Sequence, residues 1–155
     1  MFPANSRAAM NAYRNVSVES IVDSASPQQL VLMLFGGAIA AIAAAQQHMR
    51  LNNIAAKGEA ISKAISIIDS GLRASLDLSV GGELAQNLSE LYQYMGRRLL
   101  HANLKNDPAA LEEVRQLLQQ LLGAWETLAA TTTAAAAKAS TPPHPRGAAT
   151  SYGSI

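Results

Sequence analysis

Cysteine is missing from all 155 positions, which excludes disulfides and thiolate metal sites and suits a reducing cytosol. Aromatic residues make up only 5% of the chain and β-branched residues are sparse, so alanine and leucine dominate and the composition points to an all-α protein. Charge is scarce too. Charged residues are 15% of the chain and the formal net charge is +1, so nothing suggests nucleic acid or an anionic membrane surface as a main partner. Of the three histidines, His48, His101 and His144, none follows a glutamate by three residues, which removes the pattern of a di-iron helical bundle. Gly81-Gly82 precedes no Gly-Lys-Ser/Thr and so begins no phosphate loop. The carboxylates are scattered, with no cluster of titratable groups of the kind a catalytic site needs. No enzyme activity, metal or cofactor is expected.

Long hydrophobic runs are also few. The N-terminus carries Arg7 and Arg14 but no apolar stretch of the secretory kind. Residues 30–45 form the most apolar run. Two glycines and many alanines make it short and weak for a membrane span, so no stable membrane insertion is expected.

What is present is helical periodicity. Ser26-Pro27-Gln28-Gln29 combines a capping serine, a proline at the first helical position and a glutamine that completes a capping box. The first helix is expected to run to about residue 51, with a core stripe of Leu30, Leu34, Ala38, Ala41, Ala45 and Met49. Gly36-Gly37 inside it implies a close helix approach or a slight kink. After Asn52-Asn53, a second helix over residues 54–78 carries Ile54, Gly58, Ile61, Ile65, Ile68, Leu72 and Leu76, with Lys57, Lys63, Asp69 and Arg73 marking a wet face.

Gly81-Gly82 offers a break and a place for positive φ. The third helix is expected over residues 83–105, with Leu84, Leu88, Leu91, Met95, Leu99 and Ala102 facing a core. Tyr92, Tyr94 and Leu100 fall off that stripe, and such surplus apolar residues have something further to bury. Asp107-Pro108 starts a fourth helix to about residue 128, with Leu111, Val114, Leu118, Leu121, Trp125 and Leu128 at heptad spacing. From residue 131 the threonine, alanine, proline and glycine content reads as a disordered tail, although the alanines could extend the fourth helix by a turn or two. Short connections predict an antiparallel up-down-up-down four-helix bundle over residues 26–130, preceded by an arm or cap over residues 1–25 and followed by a tail over 131–155. From physics alone the surplus apolar side chains suggest a helix-in-groove binder of another polypeptide.

Several segments resemble the FliS family of flagellar secretion chaperones. They are residues 25–34 with Phe35, Gly37 and Ala38; Lys63-Ala64 and Ile67-Ile68; Ser75-Leu76-Asp77; residues 81–88; residues 91–95; Ala102-Asn103; and Leu111-Glu112-Glu113-Val114 through Ala124-Trp125. Gly36 stands where that family usually has an aspartate. The resemblance implies a cytoplasmic, type III export chaperone that binds the disordered C-terminal segment of flagellin. It also implies presentation to the flagellar export gate, the FlhA cytoplasmic domain. On this resemblance and on side-chain type, the expected flagellin contacts are Tyr92, Tyr94, Met95, Arg98, Ile67, Asn87 and Asn103. Tyr13, with Val16, would belong to an arm that covers the groove. The alternative is a histidine phosphotransfer bundle using His101, with Lys105 on the same face.

Overall fold

The structure, a computed structural model, describes residues 25–139, with side chains to residue 131. The expected arm residues Tyr13 and Val16 lie outside the described residues. Four helices and no strand occur among the described residues: α1 (Pro27–Arg50), α2 (Ile54–Ser66, continued by a π-helical segment Ile67–Arg73), α3 (Leu78–Lys105) and α4 (Pro108–Ala139). They form an all-α four-helix bundle. The chain divides into two compact units, Met1–Leu122 and Gly123–Ile155.

Local chemistry sets the helix ends. The Gln29 amide donates to Ser26 Oγ at 3.2 Å, and the Ser26 amide donates to Gln29 Oε1 at 2.9 Å, closing the expected capping box. Asn106, in the left-handed region at φ 48°, ends α3. Asp107 then receives the Ala109 amide at 3.0 Å and Pro108 opens α4.

Helix α3 starts one turn earlier than expected. Asp77 Oδ1 accepts the Ser79 and Val80 amides at 3.1 and 3.2 Å and caps a short first turn. The chain then breaks at Gly82 (φ 56°, ψ −134°) before the long regular stretch begins. Gly81 beside it lies so close to Ala85 that a Cβ there would sit 2.5 Å from the Ala85 Cβ.

Helices α1 and α2 run in opposite directions, because Leu34 meets Gly71 while Gly37 meets Ile67. The Gly71 contact is close: a Cβ at Gly71 would fall 2.9 Å from Leu34 Cδ2. Gly37 takes Ile67 Cδ1 at 3.5 Å, whereas Gly36 faces open space, so only one glycine of that pair serves close approach. Helices α2 and α3 are likewise antiparallel. Lys57 near the start of α2 bonds the end of α3, and Arg73 at the end of the π segment bonds Ser89 near the start of α3.

The buried face of α2 runs on through the π segment. Lys57, Ile61, Ala64 and Ile68 are buried at steps of four, three and four. Leu72, four residues on from Ile68, continues that face, and Gly71 beside it meets Leu34 of α1. Hydrogen bonds of the i→i+5 kind, such as the Ala74 amide to the Asp69 carbonyl at 3.2 Å, absorb one residue.

The core contains Phe35, Ile42, Ile61, Ile68, Leu72, Met95, Leu99, Leu111, Val114 and Leu118. The inward stripe of α3 differs from the expected one. Ala85, Tyr92, Met95, Leu99 and Ala102 are buried with Leu88 half-buried, a strict three-four alternation, while Leu84 is 69% exposed. Lys57 is also corrected: expected on the wet face, it is buried. Helix α1 is long and apolar enough to cross a membrane by length and composition, but Phe35, Ala38, Ala41, Ile42 and Ala45 give it a core-facing stripe. Helix α4 extends to Ala139, so residues 131–139, expected in the tail, are helical. In the second unit the Thr127 hydroxyl donates to the Gly123 carbonyl at 3.0 Å and Leu128 is exposed, off the expected buried seam.

Gly82 carries a backbone conformation that a side chain strains. Gly82→Ala should cost about 1–3 kcal/mol of stability. Gly36→Ala, which places its Cβ in open space, should gain up to about 1 kcal/mol from helix propensity. Urea unfolding of the two variants checks both signs.

Candidate functional site

A cleft of about 350 Å³ opens between α2 and α3. Ile65, Ile68 and Asp69 come from the α2 side, and Tyr92, Gln93, Gly96, Arg97 and Leu100 from α3. The spacing explains the α3 wall: Tyr92, Gly96 and Leu100 lie at i, i+4 and i+8, one face of a helix. Gly96 leaves the middle of that face bare, and a Cβ added there meets nothing within 4 Å. The floor is apolar and the charges sit on opposite walls. Asp69 pairs with Arg73 at 2.9 Å, whereas Arg97 has no hydrogen bond or ion pair among the described residues.

The sequence-expected contact residues distribute over several places. Tyr92 reaches the cleft although only 2% of its surface is exposed, and burial pushes its hydroxyl pKa up to about 12. A tyrosine so placed keeps its proton at any physiological pH and offers a neutral ring edge. Met95 is fully buried, because its position in the three-four alternation faces the core. Ile67 is half-buried against Gly37 of α1 rather than on the α3 side. Asn87 is exposed outside the cleft. Asn103 is half-buried at the end of α3, where its carbonyl accepts from Lys57 Nζ at 3.1 Å.

Tyr94 and Arg98 face α4 instead. The Tyr94 hydroxyl donates to Glu113 Oε2 and Arg98 Nε donates to Glu113 Oε1, each at 2.6 Å. These bonds hold the Glu113 carboxyl below its usual range, the Tyr94 bond first and the Arg98 bond second. The neighbouring Glu112 reaches the other way. Its carboxylate accepts from Arg115 Nε at 2.7 Å and from Gln46 Nε2 of α1 at 2.8 Å. Bonding from Arg115, then from Gln46, lowers its pKa to about 2. Two adjacent glutamates thus tie α4 to α1 and to α3. The α3–α4 tie accounts for Tyr94 and Arg98 within the fold itself.

Sequence reasoning missed Gly96 and the α2 wall residues Ile65, Ile68 and Asp69 as site residues. A signal for Gly96 existed: a glycine midway between Tyr92 and Leu100 on one helical face. Asp69 is expected only on the wet face, although Ile65, Ile68 and Asp69 lie at i, i+3 and i+4 on one helical face. No group of three or more histidines or carboxylates placed to hold a metal ion occurs among the described residues.

The family model of the flagellar protein FliS matches residues 9–132. The chain belongs to the FliS family. Among its relatives, the flagellar secretion chaperone FliS of Salmonella typhimurium is 56% identical over 119 residues, covering 77% of this chain and 88% of that protein. The Escherichia coli protein of the same name is 53% identical, covering 74% and 85%. The flagellar secretion chaperone FliSB of Pseudomonas aeruginosa is 44% identical, covering 76% and 93%. These FliS relatives are named as chaperones, not enzymes. That sets aside the phosphotransfer alternative for His101, which sits exposed near the end of α3 with Nε2 3.3 Å from the capping Asp107.

The low pKa of Glu112 links stability to pH. Because it is depressed in the folded chain, the stabilisation is present above the usual carboxylate value of 4.5 and is lost as pH falls toward about 2. Glu112→Gln should lower the urea midpoint at pH 7 and flatten its decline below pH 4.5. Urea titrations at a series of pH values check the sign.

Proposed function

We propose that this FliS-family chain is a cytoplasmic chaperone for the disordered C-terminal segment of flagellin, and that the α2–α3 cleft receives an apolar part of that segment. The observation that carries this reading is the cleft itself. Ile65, Ile68, Tyr92 and Leu100 line a preformed apolar trough with a bare notch at Gly96, in a chain whose relatives are flagellar secretion chaperones. An amphipathic helix laid in a groove is the recognition mode this shape suits.

Masking the flagellin end would prevent its assembly before export and keep it unfolded for the type III apparatus. The loaded complex would then be presented to the export gate, the cytoplasmic domain of FlhA. A disordered segment loses roughly 2–5 kcal/mol or more on ordering, so the contact must be large and mostly apolar. Asn87 and Asn103 are proposed to satisfy backbone groups of the bound segment beyond the cleft. Tyr94, Arg98 and Ile67 would contact it along neighbouring faces, with Met95 supporting Tyr92 from the core side of the helix. Tyr13 and Val16 would cover the groove in the empty chaperone.

Calorimetry with a peptide from the C-terminal end of the same organism's flagellin tests this, with circular dichroism alongside. The expected result is binding with a negative heat-capacity change and a gain of helix. Gly96→Leu places a side chain in the notch, where the added Cβ meets no heavy atom within 4 Å. It should weaken binding by about tenfold or more, equal to about 1.4 kcal/mol, with the helical spectrum retained. No binding of the unaltered chain at high micromolar peptide would refute the partner. Equal binding by Gly96→Leu would move the site elsewhere.

A further inference from the structure

We infer that Lys57 and the Arg73–Ser89 pair are positioning residues for the α2–α3 cleft: two polar clamps, one at each end, that hold its walls at a fixed separation. The inference rests on the proposed role of that cleft.

Lys57 is 4% exposed, and its ammonium meets neutral acceptors only. Nζ donates to the Asn103 carbonyl at 3.1 Å and to Asn106 Oδ1. Among the described residues it has no carboxylate partner. Burying a cation is costly unless hydrogen bonds compensate. The compensation here comes from the carboxyl end of α3, where unpaired carbonyls and the helix dipole favour positive charge. A methionine or leucine at this place would fill the core without that cost. The ammonium adds a directional bond from the start of α2 to the end of α3.

At the other end, Arg73 Nε donates to Ser89 Oγ at 3.1 Å, and the Arg73 guanidinium also holds Asp69, a cleft residue, at 2.9 Å. The cleft lies between these clamps in both chains of residues. On α2 its residues run from Ile65 to Asp69, between Lys57 and Arg73. On α3 they run from Tyr92 to Leu100, between Ser89 and Asn103.

An apolar trough in water has a standing tendency to close, since closure removes apolar surface from solvent. Close-packed apolar side chains resist this by shape, but they carry no directional preference of their own. Directional bonds at both ends resist sliding and rotation of α2 against α3. If the open cleft is the binding-competent state, apparent affinity scales with the fraction of chains that hold it open. Loosening either clamp lowers that fraction without removing any cargo contact.

The test uses the full chain and the flagellin C-terminal peptide described above. Lys57→Met keeps the packing and removes the bonds; Ser89→Ala removes one hydroxyl and leaves the Asp69–Arg73 pair. Val114→Ala, in the core and away from the cleft, reports what general destabilisation does. The expected result is that Lys57→Met weakens peptide binding about tenfold and Ser89→Ala about threefold, with Val114→Ala within about twofold of the unaltered chain. Amide exchange of the peptide-free chain should quicken at residues 65–69 in both clamp variants and not in Val114→Ala, a readout that mere loss of stability would not localise. If Gly96→Leu blocks binding while both clamp variants bind and exchange like the control, the clamps are structural only and the inference is overturned. If Lys57→Met does not fold, Ser89→Ala decides alone. If Gly96→Leu binds the peptide normally, the cleft is not the site, and the inference falls with that reading.

Discussion

The bundle depends on keeping the apolar stripe of α2 turned inward over its whole length. Ile61, Ala64, Ile68 and Leu72 are buried in turn along α2 and its π-helical continuation. Within the π segment from Ile67 to Arg73, Leu34 of α1 presses against a residue with no side chain, Gly71. The same segment carries Ile68 inward and places Asp69 on the wall of the cleft. Core packing and site geometry therefore meet in one segment.

Much of the architecture is legible from the residues, because its signals are local. Ser26-Pro27-Gln28-Gln29, Asn52-Asn53 and Asp107-Pro108 punctuate the chain through cap chemistry that acts within three or four residues. Gly82 adopts the positive φ that a Gly-Gly pair allows. The failures are of phase. Leucines at 84, 88 and 91 suggest one stripe for α3, yet Ala85 and Tyr92 are inward and Leu84 is outward. A small alanine and an amphipathic tyrosine carry weak hydrophobic signals, and the packing of neighbouring helices outweighs them. Lys57 is the extreme case: its charge marks it for solvent, while the end of α3, 46 residues away in the chain, makes its burial tolerable.

The candidate site divides in the same way. Tyr92 and Leu100 stand out because they are apolar beyond what the expected stripe needs, and both line the cleft. Tyr94 and Arg98 also stand out, but Glu113 on α4 engages both. No sequence pattern tells a tyrosine that meets a neighbouring helix from one that meets a partner, because both need an apolar body and a polar tip. The distinction requires knowing which helix lies beside α3 at that turn. Only the fold supplies that.

The size of the cleft constrains how such a chaperone can act. A trough of about 350 Å³ accepts a few side chains. Ordering a long disordered segment calls for roughly 1,000–3,000 Å² of buried surface. On the proposed reading the cleft anchors the segment and does not contain it, and further contact has to come from apolar residues outside it. Leu84 and Leu104, 69% and 79% exposed near opposite ends of α3, have the chemistry for this. Spreading the contact has a kinetic consequence. Several weak, separately dissociable patches can be peeled away one at a time at an export gate, whereas one deep pocket holding the same free energy would have to release in a single step. On the same reading, a chaperone that hydrolyses nothing favours the first arrangement, and a shallow anchoring cleft is compatible with it.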